Sequence, residues 1–93
     1  MPIGRGVQNK EGLLKILRHK LDQKDIALMY FLSQRVKLAI QIGQLKEEIG
    51  CKDDVRRVGG IFTKLDREAD KMGLEKEKVR ELWKMIMRMP WEG

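Results

Sequence analysis

The chain is poor in the residues that many enzymes use for covalent or metal chemistry. Its 93 residues include one cysteine, Cys51, and one histidine, His19. A single cysteine cannot form an internal disulfide, and neither residue has a second cysteine or histidine at metal-ligand spacing. We find no glycine-rich phosphate loop, no serine–histidine–acid set and no base that would activate Cys51. We therefore expect no metal site and no cofactor.

Long apolar runs and internal prolines are also missing. No segment reaches the roughly 18 apolar residues of a membrane span and no signal peptide is recognised, so we expect a soluble, cytoplasmic protein. The only prolines are Pro2 and Pro90, so proline breaks no helix between them. Charged residues make up 37% of the chain and its net charge is +6, which favours an anionic partner.

The dominant feature that is present is a helical pattern over residues 13–49. A helix of about 37 residues would be roughly 55 Å long. Steps of seven and four residues give one apolar face with ionic groups set into it. Its members are Leu14, Leu21, Leu28, Arg35, Ile42 and Ile49, with Arg18, Asp25, Leu32, Ala39 and Lys46 beside them. Charges within an apolar face indicate a site, because a purely structural helix would keep them on its polar face.

The length of this helix predicts a second chain. A compact chain of this size has a radius of gyration near 13 Å. A helix of roughly 55 Å extends beyond such a globule and needs another surface to cover its far half. A second copy related by two-fold symmetry is the simplest source of that surface. We therefore expect a helical dimer.

The remaining chain divides into short helical segments. Residues 1–12 hold three glycines and little apolar periodicity, and we expect a flexible arm there. The long helix should end at Gly50, a second helix at Gly73, and a third at Pro90. The predicted fold class is all-α, with three helices, one very long, in an intertwined dimer whose domain covers residues 13–93.

The apolar spacing predicts which side chains of the two shorter helices face inward. In the second helix these are Val58, Phe62, Leu65, Ala69 and Met72. In the third they are Val79, Leu82, Trp83 and Ile86. Intervals of three and four residues bring each set to one side of its helix.

Arg35 and Lys46 are the first candidates for a site. They lie eleven residues apart, close to three helical turns, so they point in nearly the same direction. One interpretation is that both extend to solvent along their aliphatic stems. The other is a partly buried cationic pocket for a ligand with carboxylates, because a buried cation is costly without an anion. Arg18 lies further back and can serve a different site, since seven-residue steps drift by about 20°.

Asp54 and Arg57, at the start of the second helix, are open to two interpretations as well. The simpler is a local ion pair three residues apart, worth a few tenths of a kcal/mol. The other is a contribution to the same ligand site. The residues by themselves favour the simpler interpretation.

The order of these residues resembles a known family. Residues 18–25 read Arg-His-Lys-Leu-Asp-Gln-Lys-Asp, and Arg35 and Lys46 follow. This order resembles the first helix of the all-helical chorismate mutases (the AroQ class), which shows Arg-x-x-apolar-Asp-x-x-Asp, then an arginine and a lysine. Asp54 and Arg57 resemble the Asp-x-x-Arg that opens the family's second helix. The resemblance covers roughly residues 13–89.

The resemblance implies a fold, a reaction and roles for the candidate residues. The family forms intertwined dimers of three-helix chains and rearranges chorismate to prephenate, toward phenylalanine and tyrosine, without a cofactor. Arg35, together with the partner subunit's Arg18, would bind the two carboxylates. Lys46 would donate to the ether oxygen. Asp54 would contact the ring hydroxyl side, and Arg57 would support the carboxylate region.

Two departures from the family pattern leave room for weak activity. The family's glutamate after the arginine of the second helix, which holds the substrate hydroxyl, falls at Val58. Its final glutamine or glutamate, a second donor to the ether oxygen, would fall one residue beyond Gly93. Glu92 is the nearest replacement, and it would have to be protonated to donate.

Two other functions therefore stay open. One is a relative of the same fold that binds a carboxylate ligand without catalysis. The other is a basic helical module that binds nucleic acid, suggested by the charge of +6. The nucleic-acid interpretation is the weaker one, because lysines and arginines alternate with acidic residues and aromatics are only 5%.

Overall fold

The computed structural model describes residues 2–50 and 55–92, with side chains over 9–50 and 59–89. Three helices follow one another: α1 is Pro2–Ile49, α2 is Val55–Met72 and α3 is Lys76–Glu92. The described residues contain no strand. The prediction of an all-α chain with one very long helix is confirmed.

Helix α1 begins earlier than the sequence suggested. It starts at Pro2, so residues 2–12 continue the helix where a flexible arm was expected. Proline is well suited to a first helical position, because the donor it lacks would be unpaired there anyway. Each interior glycine costs about 1 kcal/mol relative to alanine, which does not stop a helix that is already propagating. The division into an arm and a domain from residue 13 stays a prediction.

The ends of α1 and α2 fall at the predicted glycines. Gly50 has φ 69° and Gly73 has φ 73°, in the left-handed region that glycine adopts without strain. The Gly73 N–H donates to the Asp70 carbonyl at 3.3 Å, and the Leu74 N–H donates to the Ala69 carbonyl at 2.9 Å. These two bonds form a Schellman motif, which satisfies carbonyls that the end of α2 leaves free.

The chain comprises two compact units, residues 1–34 and residues 35–93. The first unit is the N-terminal part of α1. Its described side chains are exposed, except for the half-buried Leu32 and Gln34. Large apolar side chains such as Leu13, Leu21 and Leu28 are therefore open to solvent in the single chain.

The second unit contains the packing of α2 against α3. Ala69 is 3% exposed and is the one buried residue among those described. Five apolar side chains of the two short helices are half-buried: Phe62, Leu65, Val79, Trp83 and Ile86. These predicted inward positions are confirmed, whereas Met72 and Leu82 were predicted inward and are exposed. Each short helix can turn only one narrow face toward the other, and Met72 and Leu82 lie outside that face. The side chain of Val58 is outside the described residues.

An ion pair joins α2 to α3. Arg80 Nε donates to Asp66 Oδ1 at 2.8 Å, and Arg80 Nη2 donates to Asp66 Oδ2. The guanidinium also lies 5.7 Å from the centre of the Phe62 ring, within cation–π range. A second pair, Lys76 with Asp70 at 3.5 Å, follows on the same side. The hairpin is thus held by a bidentate contact between residues fourteen positions apart.

The described part of the single chain buries little apolar surface. Twenty large apolar side chains of the described residues are exposed, against one buried residue. A folded domain is stabilised mainly by apolar burial, and this must outweigh the conformational entropy lost on folding. Extended exposed apolar surfaces mark interaction sites. Over the described residues, no helix has an apolar segment of membrane-spanning length.

Replacing Gly73 with alanine should destabilise the protein. A Cβ at φ 73° is strained even though no atom lies within 4 Å of its position. We expect a loss of about 1 kcal/mol or more in unfolding free energy. Gly12→Ala is the matched control, because Gly12 is inside α1 with equal space, and it should stabilise by about 0.5–1 kcal/mol. Thermal unfolding at one fixed protein concentration measures the stability change of each variant. Equal changes would contradict the role of Gly73 as the left-handed cap of α2.

Removing the Asp66 carboxylate should lower the melting temperature at neutral pH. The hydrogen bond from Arg80 lowers the pKa of Asp66 below its ordinary value of 3.8. The stabilisation is therefore present above the unfolded pKa and is lost as the pH falls through the lower folded value. The difference between Asp66→Asn and the wild type should thus begin to shrink near pH 3.8 and disappear below the lower folded pKa. Glu68→Gln is the control, since its pair with Lys71 is a long contact of 3.6 Å within one helix.

Candidate active site

Two half-buried cations define the candidate site on α1. Arg35 and Lys46 are half-buried, whereas nearby Lys37, Glu47 and Glu48 are exposed. Helical periodicity puts Arg35 and Lys46 within about 20° of the same direction and about 16 Å apart along the axis. Both side chains are half-buried, which distinguishes them from the exposed charges around them, and the ligand pocket stays a prediction.

The surface between the two cations is small and apolar. Ala39 and Ile42 lie on the same face, four and seven residues after Arg35. The methyl group of Ala39 fills little space, so a ligand could lie against the helix between the charged groups. Side chains on a helix lean toward its N-terminus, which inclines Lys46 toward Arg35. In the described part of the chain, Arg35 has no hydrogen bond or ion pair of its own.

This arrangement suits an anion with more than one acceptor group. A guanidinium can bind a carboxylate through two parallel N–H···O bonds. An ammonium is a compact charge that can donate to a single oxygen. Partial burial strengthens both interactions, because water screens them less. The chemistry available on this face is therefore binding and stabilisation of negative charge.

The other predicted site residues are either exposed or outside the described side chains. Arg18 is exposed and lies in the unit of residues 1–34. Asp54 is outside the described residues, as are the side chains of Arg57 and Val58, whose backbone forms the first turn of α2. Their roles stay predictions. Glu92 ends α3, and its side chain too is outside the described part.

A shallow apolar depression of about 400 Å³ lies at the α2–α3 turn, apart from these residues. Leu74, Val79 and Leu82 line it, with Lys78 and Glu75 at its edge. None of the predicted site residues borders it. We do not assign the ligand site to this depression, because it offers apolar contact and only solvent-exposed charges.

Sequence reasoning missed the bidentate Asp66–Arg80 contact. Nothing in a single sequence marks two residues fourteen positions apart on different helices as partners. The contact fixes how α2 lies on α3, and α2 carries Arg57 at its start. Among the described residues, no group of three histidine, cysteine, aspartate or glutamate side chains could hold a metal ion.

The fold and this site together define a class of protein. It is an all-helical chain whose longest helix presents two half-buried cations within an apolar face. Such a chain is suited to a small anionic ligand bound against helix side chains.

Comparison with known families then identifies the family. The profile of chorismate mutase type II matches residues 17–90, about four-fifths of the chain. The chain belongs to the chorismate mutase type II family, the all-helical class. The matched range includes Arg18, Arg35, Lys46 and the α2 start, and it ends at Pro90. No curated protein and no solved structure matches the chain significantly.

Proposed function

We propose that this protein is a chorismate mutase, which rearranges chorismate to prephenate in the cytoplasm on the route to phenylalanine and tyrosine. The observation that carries the proposal is the half-buried pair Arg35 and Lys46, inside a family match that covers residues 17–90. The family supplies the reaction, and the pair supplies the groups that the reaction needs.

The reaction requires positioning and charge stabilisation. One carbon–oxygen bond breaks and one carbon–carbon bond forms within a single molecule, so no atom is gained or lost. The enzyme must hold a flexible dicarboxylate in the reactive chair, which removes much of the entropic barrier. It must also stabilise negative charge that develops on the ether oxygen.

The proposal assigns these tasks to specific residues. Arg35 binds one carboxylate, and Arg18 from the second copy binds the other. Lys46 donates to the ether oxygen, where an ammonium stabilises the developing charge. Asp54 contacts the ring hydroxyl side and Arg57 supports the carboxylate region.

The proposed active form is a homodimer. The exposed apolar side chains of α1 in the single chain support this, since they need a surface that the described packing of α2 on α3 does not offer. Two-fold pairing would cover the same surface on both copies at once. It would also allow Arg18 to serve the site of the other copy.

The proposed rate is low for the family. Val58 cannot hold the substrate hydroxyl as a glutamate would. The loss of this preorganised contact lowers the expected rate.

Replacing Lys46 with alanine should abolish most of the activity. We expect kcat to fall about 10²–10³-fold, because the transition state loses its main donor. Arg35→Ala should also raise KM, because it removes a carboxylate contact made by bound substrate as well. Purified protein is assayed by the disappearance of chorismate.

Lys24→Ala is the matched control for Lys46→Ala, since Lys24 is an exposed lysine of the same helix. It should leave both kinetic constants unchanged. If wild type and Lys46→Ala are equally inactive, the enzymatic proposal is wrong. Chorismate binding without turnover would instead identify a non-catalytic relative, the alternative that Val58 favours.

Mixing two inactive variants tests whether Arg18 acts across the dimer. A heterodimer of Arg18→Ala with Arg35→Ala would contain one intact site and one doubly impaired site. After unfolding and refolding an equal mixture, we expect about a quarter of wild-type activity, because half of the dimers are then mixed. Each variant refolded alone is the control. No recovery would show that Arg18 does not complete the other copy's site.

A further inference from the structure

Arg80 of α3 contacts two successive turns of α2. Its Nε donates to Asp66 Oδ1 at 2.8 Å, and its Nη2 donates to Asp66 Oδ2. The same guanidinium lies 5.7 Å from the centre of the Phe62 ring, one turn earlier in α2. Two parallel N–H···O bonds and a ring contact constrain both the position and the orientation of a planar guanidinium. We call Asp66, Arg80 and Phe62 the interhelix clamp.

The other contacts between α2 and α3 fix the relative position of these helices less strictly. Ala69 is the one buried residue among those described, and apolar side chains such as Leu65 and Trp83 are half-buried. Apolar burial has no direction, so a small shift or rotation of α2 on α3 changes it little. A bidentate ion pair is lost when its donors no longer face its acceptors. The clamp therefore specifies which residues of the two helices lie opposite each other.

The clamp also holds α2 at a distance from the α2–α3 turn. Among the described side chains, the other ion pair between the two helices is Lys76 with Asp70, at 3.5 Å, and Asp70 lies beside the turn at Gly73. From Asp66 toward the start of α2, no ion pair between described side chains joins the two helices. The clamp is thus the last described ion pair that constrains the direction of α2.

Helix α2 extends without interruption from the clamp to its first turn. It runs from Val55 to Met72 and includes the glycine pair Gly59 and Gly60. The Thr63 hydroxyl donates to the Gly59 carbonyl at 3.1 Å, which adds a side-chain hydrogen bond across this pair. A change in the direction of α2 at the clamp therefore also moves the backbone of its first turn.

The distance from the turn to the start of α2 amplifies such a change. Arg57 lies nine residues before Asp66 and sixteen before Gly73, which is about 14 Å and 24 Å along the helix axis. Over about 24 Å, a rotation of roughly 2–3° about the turn moves the backbone of the first turn by about 1 Å. A misplacement of about 1 Å far from the chemistry can cost about 10²-fold in rate.

We propose that Asp66 and Arg80 are positioning residues for the rearrangement of chorismate, because they hold the first turn of α2 where Arg57 supports the carboxylate region of the substrate. The proposal rests on the function proposed above. Neither Asp66 nor Arg80 contacts the substrate, and both act through Arg57.

The kinetics of Arg80→Leu test this role. Its kcat/KM should fall about 10–100-fold, mainly through a higher KM, because Arg57 contacts a carboxylate of bound substrate as well as of the transition state. Arg80→Lys keeps the charge but cannot make the bidentate contact, so it should show most of the same increase in KM. Lys76→Met, which removes the ion pair beside the turn, is the matched control and should leave both constants unchanged. Wild-type kinetics in folded Arg80→Leu would overturn the proposal.

A double-mutant cycle with Arg57→Ala separates positioning from a general loss of structure. In the Arg57→Ala background, Arg80→Leu should change kcat/KM by less than about threefold, because no Arg57 side chain is left to misplace. A merely structural defect would lower kcat/KM by the same factor in both backgrounds. A further fall of more than about threefold in the double variant would therefore overturn the proposal.

Asp66→Asn is the second variant if Arg80→Leu does not fold. Asparagine keeps the shape of the side chain and one acceptor oxygen, so it disturbs the packing of α2 on α3 less. It loses one of the two charge-assisted bonds, and its KM should rise about threefold to tenfold. Circular dichroism checks that each variant is folded at the assay temperature. An unchanged KM in folded Asp66→Asn would contradict the positioning role.

Chorismate binding, measured by titration calorimetry, separates this proposal from the enzymatic one. A wild type that converts chorismate while Arg80→Leu keeps its KM would refute the positioning role alone. A wild type that binds chorismate without turnover would refute the enzymatic proposal alone if Arg80→Leu binds about tenfold more weakly. Equal binding by the two proteins would refute both proposals, as would a wild type that neither binds nor converts chorismate.

Discussion

The uncovered apolar surface of α1 is the constraint on which the rest of this structure depends. The described part of the chain buries one residue, Ala69, while α1 exposes leucines, isoleucines and aromatic side chains along its length. Apolar burial is the main contribution that offsets the entropy lost on folding. The homodimer proposed above would supply such burial, and a site completed by a second copy would follow from the same constraint.

The candidate site lies on the same uncovered apolar surface of α1. In the proposed dimer another chain would cover the surface around Arg35 and Lys46, so these half-buried cations would be shielded further from water when the copies meet. Shielding strengthens the attraction of a cation for a carboxylate and also makes an unoccupied cation costly. Binding, assembly and catalysis would thus be coupled through a few side chains. The contact of Asp66 with Arg80 contributes by fixing α2, and with it Arg57, relative to α3.

Most of the fold could be predicted from local patterns. The glycines at 50 and 73 mark helix ends because only glycine enters the left-handed region freely, and both have positive φ. The start of α1 was misjudged because glycines lower helix stability without forbidding a helix. Leu82 was misplaced for another reason: periodicity identifies an apolar residue but not the surface it contacts. Partial burial of Arg35 and Lys46 was one of two interpretations of the sequence, and both side chains are half-buried. Asp54 and the side chains of Arg57 and Val58 lie outside what the structure describes, and their roles stay predictions.

The sequence by itself determined the helices, the long apolar face with its two cations, and the family to which the chain belongs. These features are local or periodic, so they can be recognised without knowing which residues meet. Tertiary structure alone decided the pairing of Asp66 with Arg80, the burial of Ala69 and the exposure of Leu82. Each depends on how α2 and α3 lie against each other after the turn at Gly73. That geometry arises from packing between residues far apart in the chain, which no local pattern encodes.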